Sequence, residues 1–266
     1  MPFAEVNGVS LYYETAGSGP SVLFIGGTGG DLRQRPSVLE GPLARRHTVL
    51  AYDQRGLGRS EKRDEAVGMG DFADDAAALV AHIGLERVAV VGVSFGGMVA
   101  QELAIRHPQL VDRLVLCCTS SGGAGGSSYP LHDLAGLPED ERLRTSLAIS
   151  DVRNDRAWQE AHPDETTAIL EVMRARASVG GGEEGSEAGA RRQLEARRAH
   201  DTWDRLGAIG CPTLVCAGRY DAIAPVANSE AIVSRIEGAR LEVLDGGHLF
   251  LLQDRRAWDV IIDFLS

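Results

Sequence analysis

The chain has only four cysteines, no excess of basic residues and no apolar run long enough to span a bilayer, and each shortage removes a class of function. Cys117 and Cys118 are adjacent, while Cys211 and Cys216 flank the apolar "PTLV". Neither spacing is that of a zinc site or of a secreted disulfide framework, so all four read as reduced, buried small side chains. Against 27 Lys and Arg stand 38 Asp and Glu, and the net charge of −11 repels nucleic acid phosphates and anionic lipid surfaces alike. A small molecule is therefore the expected partner, and oligomeric state is not legible. The opening "MPFAEVNGVSLYYE" has no basic stretch followed by an apolar one, and no later segment reaches the roughly 18 apolar residues of a membrane span. A cytoplasmic location is the expectation. The glycine-rich "GGTGGD" lacks both the G-K-[ST] of a phosphate-binding loop and the full G-x-G-x-x-G spacing, and no metal-ligand cluster is present. No cofactor is expected.

What the chain does have is 44% hydrophobic residues over 266 positions, enough for one large core. The alternating "VSLYYETA" and the apolar "SVLFIG", "HTVLAYD", "RVAVVGV", "LVDRLVLCC", "PTLVCAG" and "RLEVLDG" read as strands. Helical spacing is expected over Val38–Arg46, Asp71–Ile83, Met98–Arg106, Asn228–Ile236 and Arg255–Leu265. Apolar strands alternating with helices predict an α/β fold, a doubly wound and mostly parallel sheet covered on both faces. From Thr119 to Leu206 no convincing strand occurs, but "EDERLRTSLAIS", "DETTAILEVMRARA" and "RRQLEARRAHDTW" have helical patterns. A structureless loop of that length does not suit a compact domain, so the segment reads as a helical cap, 119–206, inserted into a core made of 1–118 and 207–266.

In "VAVVGVSFGGMVAQELA" a buried strand runs into a helix through a turn that holds Ser94. A side chain there projects into the crevice where open α/β sheets bind ligands, with the N–H groups of the following helix aimed at the same place. Gly92 and Gly96 fall where strand and helix pass too closely for a Cβ, which gives the pattern G-x-S-x-G a steric reason. A serine hydroxyl needs a base to attack, and the base needs an orienting carboxylate. "GRYDAIAP" places Asp221 just past one strand and "DGGHLF" places His248 just past another, both at the same sheet edge as Ser94. The order Ser, Asp, His is the one this architecture uses.

On "GVSFGG", "GRYDAIAP", "GGH" and the turn "YDQRGLGRS", the sequence resembles the α/β-hydrolase family, esterase and enol-lactonase members included, over essentially its whole length. The resemblance implies an α/β-hydrolase fold with a helical cap. It assigns Ser94 as nucleophile, His248 as general base and then acid, and Asp221 as the group that fixes the histidine tautomer. It also implies an oxyanion hole built from the backbone N–H groups of Phe95 and Thr28. Many members have His-Gly where this chain has Gly26-Gly27, but the donor is a backbone group and survives that change. The implied activity is cleavage of a carboxylic ester, lactone or thioester of a small molecule. Carbon–carbon bond hydrolysis, a prolyl-aminopeptidase-like activity, perhydrolysis and a ligand-binding receptor on the same fold are the alternatives. Prolyl aminopeptidases carry H-G-G-P-G where this chain reads "GGTGG", and a receptor would have lost part of its triad. Epoxide hydrolases and haloalkane dehalogenases place aspartate at the position of Ser94.

The remaining candidates have simpler readings. His47, His82, His107, His132, His162 and His200 lack a companion carboxylate in a strand-end loop and read as surface or structural. Asp53, with Arg55, reads as a turn-former. Asp245 is too near His248 in sequence to reach the far imidazole nitrogen. The run "RARASVGGGEEGSEAGARRQLEARR" reads as a solvated, mobile stretch whose glycines let a cap open over the pocket. Pocket-lining residues are not legible.

Overall fold

In the computed structural model, which describes residues 2–266, eight strands form one sheet. They are β1 (Phe3–Val6), β2 (Val9–Ala16), β3 (Ser21–Ile25), β4 (Thr48–Tyr52), β5 (Val88–Val93), β6 (Val111–Cys117), β7 (Thr213–Gly218) and β8 (Arg240–Leu244), in the order β1-β2-β4-β3-β5-β6-β7-β8. β1 and β2 pair antiparallel, β2 runs antiparallel to β4, and every later pairing is parallel. The inner parallel strands β5 and β7 are buried on both faces, which is why "VAVVGV" and "TLVCAG" are apolar without alternation. β1 was not expected: "FAEV" is too short, and its outer residues too exposed, to be read as a strand alone.

α1 (Met69–His82), α2 (Phe95–Arg106) and α7 (Val226–Arg235) cover one face, where Val90, Leu114 and Val215 meet Phe72, Val99 and Ile232. The other face is closed by α8 (Phe250–Gln253), α9 (Ala257–Leu265) and a short turn around Leu43, packed on Val91, Val115 and Leu214. The helix expected over Val38–Arg46 is instead two single 3-10 turns, Val38–Glu40 and Leu43–Arg45. Gly41 and Pro42 divide it, since proline removes an N–H and glycine weakens the turn before it. The helix expected from Asn228 starts at Val226, and the one expected over Arg255–Leu265 is preceded by the separate α8, the break coming at Asp254.

Between β6 and β7 the chain is helical. α3 (Glu139–Ser150), α4 (Arg156–Ala161), α5 (Pro163–Ala177) and α6 (Ser186–Arg198) are joined by turns, and Leu143, Leu147 and Leu170 form a small core of their own between α3 and α5. No helix among the described residues is long and apolar enough to cross a membrane.

Candidate active site

Because β4 lies on one side of β3 and β5 on the other, the strand order reverses here, and a crevice opens at the carboxyl ends of β3 and β5. Ser94 stands in it at φ 55° and ψ −115°, a region that L residues enter at a cost of order 1–3 kcal/mol. The surrounding backbone holds it there. Ser94 N donates to the Cys117 carbonyl at 2.8 Å, and the Ser94 carbonyl accepts from Thr119 Oγ1 at 2.8 Å and from Gly97 N at 2.9 Å. α2 begins at Phe95 rather than at Met98, so Gly96 and Gly97 are its first turn and not a loop.

The tight elbow depends on Gly96. A Cβ there would collide with the carbonyls of Ile25 and Gly26, backbone that cannot rotate out of the way. Gly96→Ala is expected to cost about 1–3 kcal/mol or more and to displace Ser94 from its partner. Thermal unfolding and turnover, measured together, check this; an unchanged melting temperature would mean the crossing is looser than the packing indicates.

The loop after β7 turns back through the Asp221 N–H to the Gly218 carbonyl and points the Asp221 carboxylate inward. Its Oδ1 accepts N–H bonds from Ile223 at 2.7 Å and Ala224 at 3.0 Å, so only Oδ2 is left for another group. That group is His248 Nδ1, at 2.7 Å, and His248 Nε2 lies 2.9 Å from Ser94 Oγ. Ser94, His248 and Asp221, from three separate loops, are thus one hydrogen-bonded relay. Ser94 is 8% exposed and the Asp221 side chain is fully buried, so the relay lies beneath the surface with its strength little diluted by water.

The insertion reaches this relay, a link the sequence does not reveal. His248 N donates to the Ser150 carbonyl at 2.6 Å, Ala222 N to the Ile149 carbonyl at 3.0 Å, and Val152 N to the Tyr220 carbonyl at 3.0 Å. The end of α3 therefore clasps the acid loop and the base loop together. Gly247 makes room for it, since a Cβ there would strike the Ser150 carbonyl.

Phe95 is the first residue of α2, and its N–H is one of the donors a first turn leaves without an intrahelical acceptor. On the opposite side, Gly27 faces the serine so closely that a Cβ would sit 3.5 Å from Ser94 Cβ, and Thr28 follows it. The Thr28 hydroxyl is buried and has no partner among the described residues.

Asp53 is a turn-former: its carboxylate accepts from Leu32 N at 2.7 Å and Arg59 N at 2.9 Å, while Arg55 turns away to pair with Asp75 at 2.6 Å. Burial raises the Asp53 carboxyl, and those two N–H groups oppose the rise. Asp245 is exposed and faces Arg153 at 3.7 Å, and the imidazole bonds Asp221 and Ser94 instead. His107 pairs with Asp74 at 2.7 Å at the far end of α2, and His162 bonds the Trp158 carbonyl. None of the other histidines meets the relay.

A cleft of about 240 Å³ opens beside His248, Gly26 and Gly27. Its walls are mostly apolar, with Leu32, Val38 and Trp258 from the core and Arg176 reaching in from α5. The segment between β3 and β4 and the one after His248 contribute most of it. Neither has a motif that marks it in sequence.

Residues 20–254 match the family model described as the alpha/beta hydrolase fold. The chain belongs to the α/β-hydrolase family. Among curated relatives of this α/β hydrolase is a Variovorax paradoxus protein provisionally named carbamate hydrolase RutD, 32% identical over 96% of each chain. Among solved structures, the enol-lactonase from Burkholderia xenovorans superposes with a TM-score of 0.79 at 24% identity, covering 99% of both chains, a likeness of fold. An enzyme described as degrading N-acyl homoserine lactones is 26% identical, with a TM-score of 0.75 and complete coverage of both chains.

Proposed function

We propose that this α/β hydrolase cleaves a small-molecule carboxylic ester, lactone or thioester through an acyl-enzyme on Ser94. The observation that carries the proposal is the continuous relay from Asp221 through His248 to Ser94 Oγ. With its Nδ1 proton held by Asp221, His248 offers an unprotonated Nε2 that takes the serine proton as Oγ attacks the carbonyl carbon. The N–H groups of Phe95 and Thr28 receive the oxyanion that develops. His248 then returns the proton to the departing alkoxide or thiolate, and in a lactone that group stays attached to the acyl chain. A water deprotonated by the same nitrogen releases the acid and restores Ser94.

The cleft beside His248 suits a small, largely apolar acyl or leaving group, and the insertion at 119–206, which contributes Arg176 to its wall, serves as the cap. The full-length relative adds carbamates to the substrates worth testing, because their carbonyl is open to the same attack. Exposure to a fluorophosphonate, followed by intact mass, is expected to add one adduct to the wild type and none to Ser94→Ala or His248→Ala. A folded wild type that stays unlabelled would overturn the proposal. Product analysis on ester, lactone, thioester, carbamate and carbon–carbon substrates then separates the reaction classes.

A further inference from the structure

A second cavity, of about 180 Å³, lies between α2, the glycine-rich segment after β6 and the end of α6, and it shares no lining residue with the cleft beside His248. Two basic side chains in its wall are only partly satisfied by the protein. Arg197 is 6% exposed and donates Nη1 to the Tyr129 carbonyl at 2.8 Å, but its Nε and Nη2 are buried with no partner among the described residues. His200, two residues past the end of α6 and 7% exposed, has no well-aligned hydrogen-bond partner for either ring nitrogen among those residues. Ser120, Ser127 and Ser128 line the same space. The Ser120 Oγ already accepts from Asn228 Nδ2 at 2.8 Å, so its own proton is free to be donated.

No carboxylate pairs with Arg197 among the described residues. Glu102, the acid nearest in kind, is taken by Arg205 through bonds of 2.9 and 2.5 Å, and the Asp201 carboxylate accepts from Trp203 N at 3.0 Å. A buried guanidinium with unmatched N–H groups is costly unless an acceptor meets it, and burial, the largest cause in each case, lowers Arg197 to about 10 and His200 to about 4. A planar fork of donors, an imidazole and three hydroxyls thus line one cavity, and a cluster of such donors is the chemistry that binds an oxyanion.

We propose that this cavity is a binding site for a phosphate-like oxyanion, held by Arg197, His200 and the serine hydroxyls. Exposed Ser127 and Arg198 lie at its rim, so the anion can be free or the terminal group of a larger molecule.

The test is calorimetric titration of the intact protein with inorganic phosphate, sulfate and glycerol phosphate, paired with thermal unfolding in the same anions. Saturable binding and a rise in melting temperature are expected for at least one of them, and comparison of the free with the esterified phosphate identifies the source. Arg197→Gln is expected to weaken binding about 10- to 100-fold, the worth of charged hydrogen bonds. Ser128→Leu, which fills the cavity from its partly exposed wall, is expected to abolish binding even if Arg197→Gln does not fold. Ser94→Ala is expected to bind as the wild type does. Absence of binding to all three anions, binding unchanged in Ser128→Leu, or binding lost in Ser94→Ala would each overturn the assignment.

Discussion

Ser94→Ala is expected to lower kcat by roughly 10⁴-fold or more while leaving the protein folded. The serine side chain makes one hydrogen bond, to His248 Nε2, so its removal takes away the attacking oxygen and little else. The strained backbone at φ 55° is held by main-chain bonds to Cys117, Thr119 and Gly97, all of which alanine keeps. What would remain in the variant is substrate binding and the proposed oxyanion donors, which alone give a small residual rate. The check is kcat on the best substrate of the wild type beside a thermal melt. A variant within tenfold of the wild type, with the same melting temperature, would mean that chemistry does not pass through this oxygen.

The relay was legible in sequence because each member follows the carboxyl end of a parallel strand, and parallel strands bring those ends to one edge whatever lies between them. Ser94 after β5, Asp221 after β7 and His248 after β8 need only that rule to meet. Local chemistry blurred the helix ends. Gly96 and Gly97 resemble a loop until the backbone crossing that requires a glycine is known, and Gly41-Pro42 broke an apolar pattern that otherwise reads as helix. The other long-range contacts left no trace. Nothing around Ser150 says that its carbonyl will bind the backbone of His248, and nothing in "RRQLEARRAH" separates Arg197, which is buried, from the exposed Arg198 beside it. Charged residues in a helical run are normally solvated, so burial of one of them is a tertiary fact.

Asp221→Asn is expected to reduce kcat by about 10²- to 10⁴-fold, and the reason is a matter of which atoms can face which. In the native loop Oδ1 accepts from the N–H groups of Ile223 and Ala224, while Oδ2 faces His248 Nδ1. An asparagine keeps the first pair of bonds only by leaving its carbonyl oxygen where Oδ1 stood, and that turns its NH₂ toward the imidazole. A donor then faces Nδ1, so the ring moves its proton to Nε2 and presents it to Ser94 Oγ, where an unprotonated nitrogen is needed. The flipped amide restores the tautomer but sets NH₂ against two backbone N–H groups in a buried site, a cost of order 1–3 kcal/mol for each donor left unmatched. The loop therefore selects the inactive tautomer. Asp245→Asn, at an exposed carboxylate turned toward Arg153, is expected to leave kcat within about twofold of wild type, since surface substitutions away from a site change little. Steady-state kinetics on the two variants, with fluorophosphonate labelling rates as a second readout, separate the roles; a severe loss in Asp245→Asn with Asp221→Asn near wild type would assign the orienting carboxylate to the other loop.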